Sequence, residues 1–163
     1  MCIRDRDVYK RQLLNCVQSA QWPHAFLESY RCVERLFSFQ FIEDLHRDLA
    51  LNISLLKFAE KIESAIKWRP REEDAIERLF GLLPADALIL MEGVRDKVSA
   101  NSGEKVPSWV YSLRNSVVHF RPASKQLSLT DQQWDEMLRA TLLLIGKIYA
   151  TYDAHLKLSL IHI

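Results

Sequence analysis

One stretch of the chain combines residue types that can act on a phosphodiester: Trp109-Val-Tyr-Ser-Leu-Arg114-Asn115-Ser-Val-Val-His119-Phe120-Arg121-Pro122. An Arg, an Asn and a His sit among residues otherwise suited to a core. A histidine titrates near neutral pH and can exchange a proton with a ribose hydroxyl or a leaving oxygen. An arginine stays cationic and can hold two non-bridging phosphate oxygens while charge builds in a transition state. That division of labour needs no metal. Asn115 and His119 are four apart and share one helix face. Arg114 lies ~140° around the helix from His119, within reach of a long flexible stem. The same residues also allow a structural alternative, an interfacial His capped by Asn with the Arg in a surface salt bridge.

The segment must be helical for this spacing to matter. Trp109, Leu113, Val117 and Phe120 recur at i, i+4, i+8 and i+11, with Pro107 before them and Pro122 after. The polar group is expected roughly opposite that stripe, at a surface or an interface. Helical spacing continues almost throughout the chain. Pro23 opens a helix carrying Phe26, Tyr30, Val33 and Phe37, expected to continue towards Leu49. Leu55, Phe58, Ile62 and Ile66 form a second stripe ending near Trp68-Arg69-Pro70. Glu72 to Asp74 form an acidic first turn for a helix running to Gly81. Pro84 opens another over Ala85 to Val98. Ala100 to Lys105 reads as a loop. Thr130 and Gln133 make a capping box for a long final helix expected to pass Tyr149. The spacing predicts an all-α bundle with extra helices inserted between its second and third core helices.

Composition narrows the function classes. There are 163 residues, with 22 Lys+Arg against 21 Asp+Glu and only four glycines. So few glycines argue against a glycine-loop nucleotide fold, and the near balance of charge argues against a strongly basic nucleic-acid coat. Arg31, Arg35, Arg121 and Lys125 could still form a local basic patch. The longest apolar run, Leu142 to Ala150, is broken by Lys147 and is far shorter than the ~20 residues of a membrane span. No membrane association is expected.

Cys16 and Cys32 form no CxxC and have no paired His, so neither a disulfide framework nor a zinc site is expected. No metal and no cofactor is assigned. His24, His46 and His155 are isolated. Trp22, Trp68 and Trp134 read as packing or hinge-covering aromatics, with base stacking as the alternative.

Both ends carry the signature of one DNA element. GATGTGTATAAGAGACAG encodes Asp7 to Gln12, and the same string read one base later encodes Met1 to Asp5. Its reverse complement, CTGTCTCTTATACACATC, encodes Leu158 to Ile163. The element resembles the mosaic end of transposase-based sequencing libraries. Residues 1–12 and 158–163 are therefore expected to be translated adapter, leaving 13–157 as the natural segment, open to truncation at both ends.

The Arg-Asn-x-x-x-His arrangement, in the local form LRNSVVHF, resembles the Arg-x4-His signature of the HEPN superfamily (higher eukaryotes and prokaryotes nucleotide-binding domains). Tyr30-Arg-Cys-Val-Glu34-Arg-Leu-Phe37 resembles the second core helix of several bacterial members, with its conspicuous Tyr and Glu. The resemblance implies a bundle of four to five core helices that dimerises, bringing two motifs into a shared cleft. It implies a cytoplasmic, metal-independent endoribonuclease of a prokaryotic defence or toxin–antitoxin type system, cutting RNA through the ribose 2′-hydroxyl.

Carried over to these positions, His119 would be the general acid/base and Arg114 would hold the scissile phosphate. Asn115 would orient His119 or the phosphate. Glu34 and Tyr30 would support from the neighbouring helix. The implied partners are RNA, a second copy of the chain, and an antitoxin or a nucleotidyltransferase that silences it. The alternative, favoured by the neutral charge, is a non-catalytic HEPN-like dimerisation or RNA/nucleotide-binding module of a larger protein.

Overall fold

Helix starts and stops follow local signals. In the computed structural model, which describes residues 11, 13–99, 103–118 and 129–157 (the backbone alone for 153–157), all regular structure is helical. Residues 13–18 form a short helix, α1. Pro23, with its fixed φ, sits in the first turn of α2, Trp22–Glu34. Two short helices follow, α3 over Phe39–Asp48 and α4 over Leu55–Ile66. The hydroxyl of Ser54 caps α4 by accepting from the Lys57 N–H, and Lys67 ends it in the left-handed region at φ 49°.

The acidic turn Glu72 to Asp74 opens α5, Glu72–Phe80, and α6 occupies Ala85–Val98 directly after Pro84. Helix α7 spans Val106–Val118. The last helix, α8, runs over Asp131–Lys157. Its capping box is formed in both directions. The Thr130 N–H donates to Gln133 Oε1 at 2.8 Å, and the Gln133 N–H donates to Thr130 Oγ1 at 3.3 Å.

One expected helix is two. The stretch from Pro23 to Leu49 breaks after Glu34, where Leu36, Phe37 and Phe39 close short turns with their N–H groups on the carbonyls of Val33, Glu34 and Leu36. The aromatics supply the reason. Phe37 and Phe39 would point ~200° apart on a continuous helix, so one would face water. The break lets both be buried. Phe37 meets Tyr30 edge-on at 6.3 Å, and Phe39 meets Tyr152 at 4.7 Å.

Helices α2 and α6 both lie along α8, while α7 packs on α5, α6 and α2. Phe26, early in α2, touches Trp134, early in α8, and Phe39, just past α2, touches Tyr152 late in α8. The two helices therefore run in the same direction. The core between them holds Phe26, Leu36, Met91, Leu113, Met137 and Ile148, all fully buried. Helix α4 leans chiefly on α3, so its apolar stripe fades along its length. Leu55 and Phe58 are buried, Ile62 is half-buried, and Ile66 is exposed.

The tryptophans behave as packing residues to different degrees. Trp134 is buried and Trp22 half-buried, whereas Trp68 lies at the surface. His46 is structural, its Nε2–H donating to the Ile53 carbonyl at 2.6 Å and its ring lying against Phe58. Cys16 and Cys32 are buried thiols. Among the described residues, no helix is long and apolar enough to cross a membrane. Ala100, Phe120, Arg121, Pro122 and Lys125 lie outside the described residues, as do residues 1–12 and 158–163 apart from Arg11.

Candidate functional site

Helix α7 is the part of the motif whose position is defined. Trp109 and Leu113 anchor it in the core, and Val117 is packed against the same cluster. The polar face, expected opposite that stripe at a surface or an interface, is partly covered by α2. Because α7 is covered on several sides, α2 lies over Arg114, whose side chain is only 19% exposed. His119 lies outside the described residues.

Four of the five residues singled out from the sequence meet at the α2–α7 seam. Arg114 Nη2 donates to Glu34 Oε1 at 2.6 Å, across 80 positions of sequence, and Nη1 donates to Asn115 Oδ1 at 2.9 Å. The Arg114 guanidinium carbon also stands 5.9 Å from the centre of the Tyr30 ring. Burial alone would make the guanidinium easier to deprotonate. The Glu34 carboxylate outweighs that, with Glu72 and Tyr30 adding to it, and holds Arg114 above its ordinary range. Arg114 is a fixed cation with two of its N–H groups engaged and others left over for an anion.

Asn115 has an observed partner in Arg114. Its amide oxygen accepts from the guanidinium, so it braces the cation. Tyr30 presents a different picture. Its ring is buried and, among the described residues, its hydroxyl has no hydrogen-bond partner. Burial first, then the Glu34 and Glu72 carboxylates, push the Tyr30 hydroxyl well above the usual phenol range, against the opposing pull of Arg114.

An orphan buried hydroxyl costs about 1–3 kcal/mol relative to a paired one. Tyr30→Phe is therefore expected to raise stability by about 1 kcal/mol, seen as a melting temperature higher by about 2–4 °C. The pH dependence follows from the direction of the shift. The folded chain keeps the Tyr30 proton where the unfolded chain begins to release it, near pH ~10. Stability should fall as pH rises past that point, and fall less steeply in the Phe variant. A Phe variant that melts below wild type would give the hydroxyl a partner and overturn this account.

An open cleft of about 570 Å³ begins at Arg114. Its walls come from the end of α2, the turn after it, α3, α4 and the segment 68–72. Arg31, Arg35 and Arg69 line it with Arg114, and Glu34, Glu63 and Glu72 face them. Of the four residues that could form a basic patch, Arg31 and Arg35 line this cleft, while Arg121 and Lys125 lie outside the described residues. Arg31 also pairs with Glu28 on its own helix.

Sequence reasoning missed the second wall. Trp68 stood out as the end of a helical stripe and as a packing aromatic with base stacking as the alternative, Arg69 only as the end of that stripe, and Glu72 as a helix start. The pairing of an aromatic with two arginines in Trp68-Arg69-Pro70-Arg71 was the one signal that could have found it. Among the described residues, no group of three or more His, Cys, Asp or Glu side chains is arranged to hold a metal ion. Compared with family models, with curated proteins and with solved structures, the chain finds no match in any of the three.

Proposed function

We propose that this chain is a HEPN-like bundle acting as a metal-independent endoribonuclease of a prokaryotic defence or toxin–antitoxin type system, with RNA bound at the cleft that begins at Arg114. The observation that carries the reading is the arrangement of Arg114 itself. It is a permanent cation on the motif helix, braced by Asn115 and Glu34, with unused N–H groups at the head of an open cleft. Such a group suits the non-bridging oxygens of a scissile phosphate, whose negative charge grows as a fifth oxygen approaches phosphorus.

In this reaction His119 takes the proton from a ribose 2′-hydroxyl. The 2′-oxygen attacks phosphorus, the bond to the 5′-oxygen breaks, and that oxygen leaves as a hydroxyl by taking up the proton that His119 accepted. The products are a 2′,3′-cyclic phosphate and a 5′-hydroxyl end. DNA lacks the nucleophile and is not cut. The chain works as a homodimer in the cytoplasm, with the two motifs sharing one cleft, and an antitoxin or nucleotidyltransferase restrains it.

The test is chelator-resistant cleavage of a mixed RNA pool by the full chain, beside His119→Ala. Wild type is expected to leave cyclic phosphate ends, and the variant to lose cleavage by about 100-fold or more, as for removal of a general acid/base. A His119→Ala chain that cuts at the wild-type rate would falsify the assignment. The Glu34–Arg114 pair favours one second reading. A guanidinium already neutralised by a carboxylate is also what a non-catalytic RNA or nucleotide-binding module would carry. In that case folded wild type binds RNA and leaves it intact.

A further inference from the structure

The lining of the cleft carries a feature that phosphate chemistry leaves unused. Trp68 lies on the cleft wall and is 36% exposed, an unusual state for the largest apolar side chain. It meets Phe41 nearly edge-on, with ring centres 5.8 Å apart and planes inclined at 69°. A perpendicular contact of this kind covers at most one face of the indole.

The contact is itself braced. The Arg78 guanidinium carbon stands 4.1 Å from the centre of the Phe41 ring, and Arg78 Nη1 donates to Asp44 Oδ2 at 2.7 Å. The backbone is held as well. Lys67, just before Trp68, takes the left-handed conformation at φ 49°, and Arg69 precedes Pro70, which restricts it to extended backbone. Trp68 is therefore positioned before any ligand arrives, which lowers the ordering cost of binding.

Charge in the cleft is mixed. Arg31, Arg35 and Arg69 stand on its walls with Arg114, but so do Glu63 and Glu72. A polyanion that bound by charge alone would find little net attraction here. We infer that Trp68 is a base-stacking platform of this site, taking one unpaired nucleobase of single-stranded RNA while Arg114 holds a phosphate of the same strand. The inference rests on the RNA reading above and adds to it the residue that selects an unpaired base. Duplex RNA, whose bases are stacked on each other, cannot offer a face to Trp68 and is excluded.

The experiment uses the full chain carrying His119→Ala, so that bound RNA is not consumed. The probes are a fluorescein-labelled single-stranded RNA oligomer of mixed sequence and the same oligomer with abasic sugars, read by fluorescence anisotropy. Adding Trp68→Ala is expected to weaken binding of the intact oligomer by about 5- to 100-fold, the range for losing one stacked base. Trp68→Tyr should restore binding to within about threefold of the parent, since a phenol also stacks. The abasic oligomer should bind all three proteins alike.

Equal binding of the intact oligomer by Trp68→Ala and its parent, with loss on Arg114→Ala, overturns the platform and leaves the RNA reading standing. No binding by any variant that circular dichroism shows to be folded overturns both. An aspartate-rich peptide that competes and depends equally on Trp68 also overturns the platform, and makes the occupant an acidic protein segment.

Discussion

Arg114→Lys is expected to cut RNA about 100- to 1,000-fold more slowly than the wild-type chain, close to the loss caused by Arg114→Ala. The reason lies in the shape of the cation rather than its charge. The guanidinium donates to Glu34 through one terminal nitrogen and to Asn115 through the other, and both bonds fix its plane. A lysine ammonium is a point charge with donors that rotate about one axis. It can satisfy Glu34, but it cannot also hold Asn115 and present a planar pair of N–H groups to a phosphate.

The stability cost of the same change should be smaller than the rate loss. Glu34 keeps a cationic partner in the Lys variant, and its side chain is 25% exposed, so water takes up part of what the fork gave. Arg114→Ala differs on that point. It leaves a half-buried carboxylate unpaired and should lower the melting temperature as well as the rate. Single-turnover cleavage and thermal melting on the three proteins separate the two effects. A Lys variant within about threefold of wild-type rate would show that Arg114 acts only as a charge, because the loss expected for a missing transition-state donor is far larger.

The second large effect is on folding. Trp109→Ala is expected to cost about 3–5 kcal/mol, a large share of the ~5–15 kcal/mol that holds a domain of this kind together. Trp109 is among the largest fully buried side chains and anchors the helix that carries Arg114 and Asn115. Its removal opens a cavity at the junction of α7 with the core, which close-packed neighbours refill only in part.

Trp109→Phe is the informative companion. The Trp109 indole N–H is buried without a partner among the described residues, so the smaller ring removes an unsatisfied donor along with some volume. The two terms oppose each other. The Phe variant should lose about 2 kcal/mol less than the Ala variant, because it keeps most of the ring volume and sheds the orphan donor. Urea unfolding followed by circular dichroism measures both. An Ala variant as stable as the Phe variant would mean that α7 does not depend on this anchor.

Much of the helical order is legible in the amino-acid sequence alone, because the signals that start helices act within one turn. The Thr130–Gln133 box joins partners three residues apart, and the proline at position 84 and the acidic turn at Glu72 act at the first turns of the helices they open. The all-α class follows from the same local periodicity. The bond between Arg114 and Asn115 does not, since spacing pairs Asn115 with His119 four positions on and adjacent helix positions do not face each other.

Other features require the packed chain. The break after Glu34 exists because Phe37 and Phe39 both find cover, one from Tyr30 and one from Tyr152 more than a hundred positions away. Ile66 continues an apolar stripe, yet it is exposed because α4 has only α3 as a main neighbour. The half-burial of Arg114 depends on α2 crossing the face that periodicity leaves opposite the core stripe. Its bond to Glu34 and the meeting of Trp68 with Phe41 join elements that no spacing rule connects. Periodicity tells which side chains prefer cover, whereas which helix supplies that cover is a property of several elements packed together.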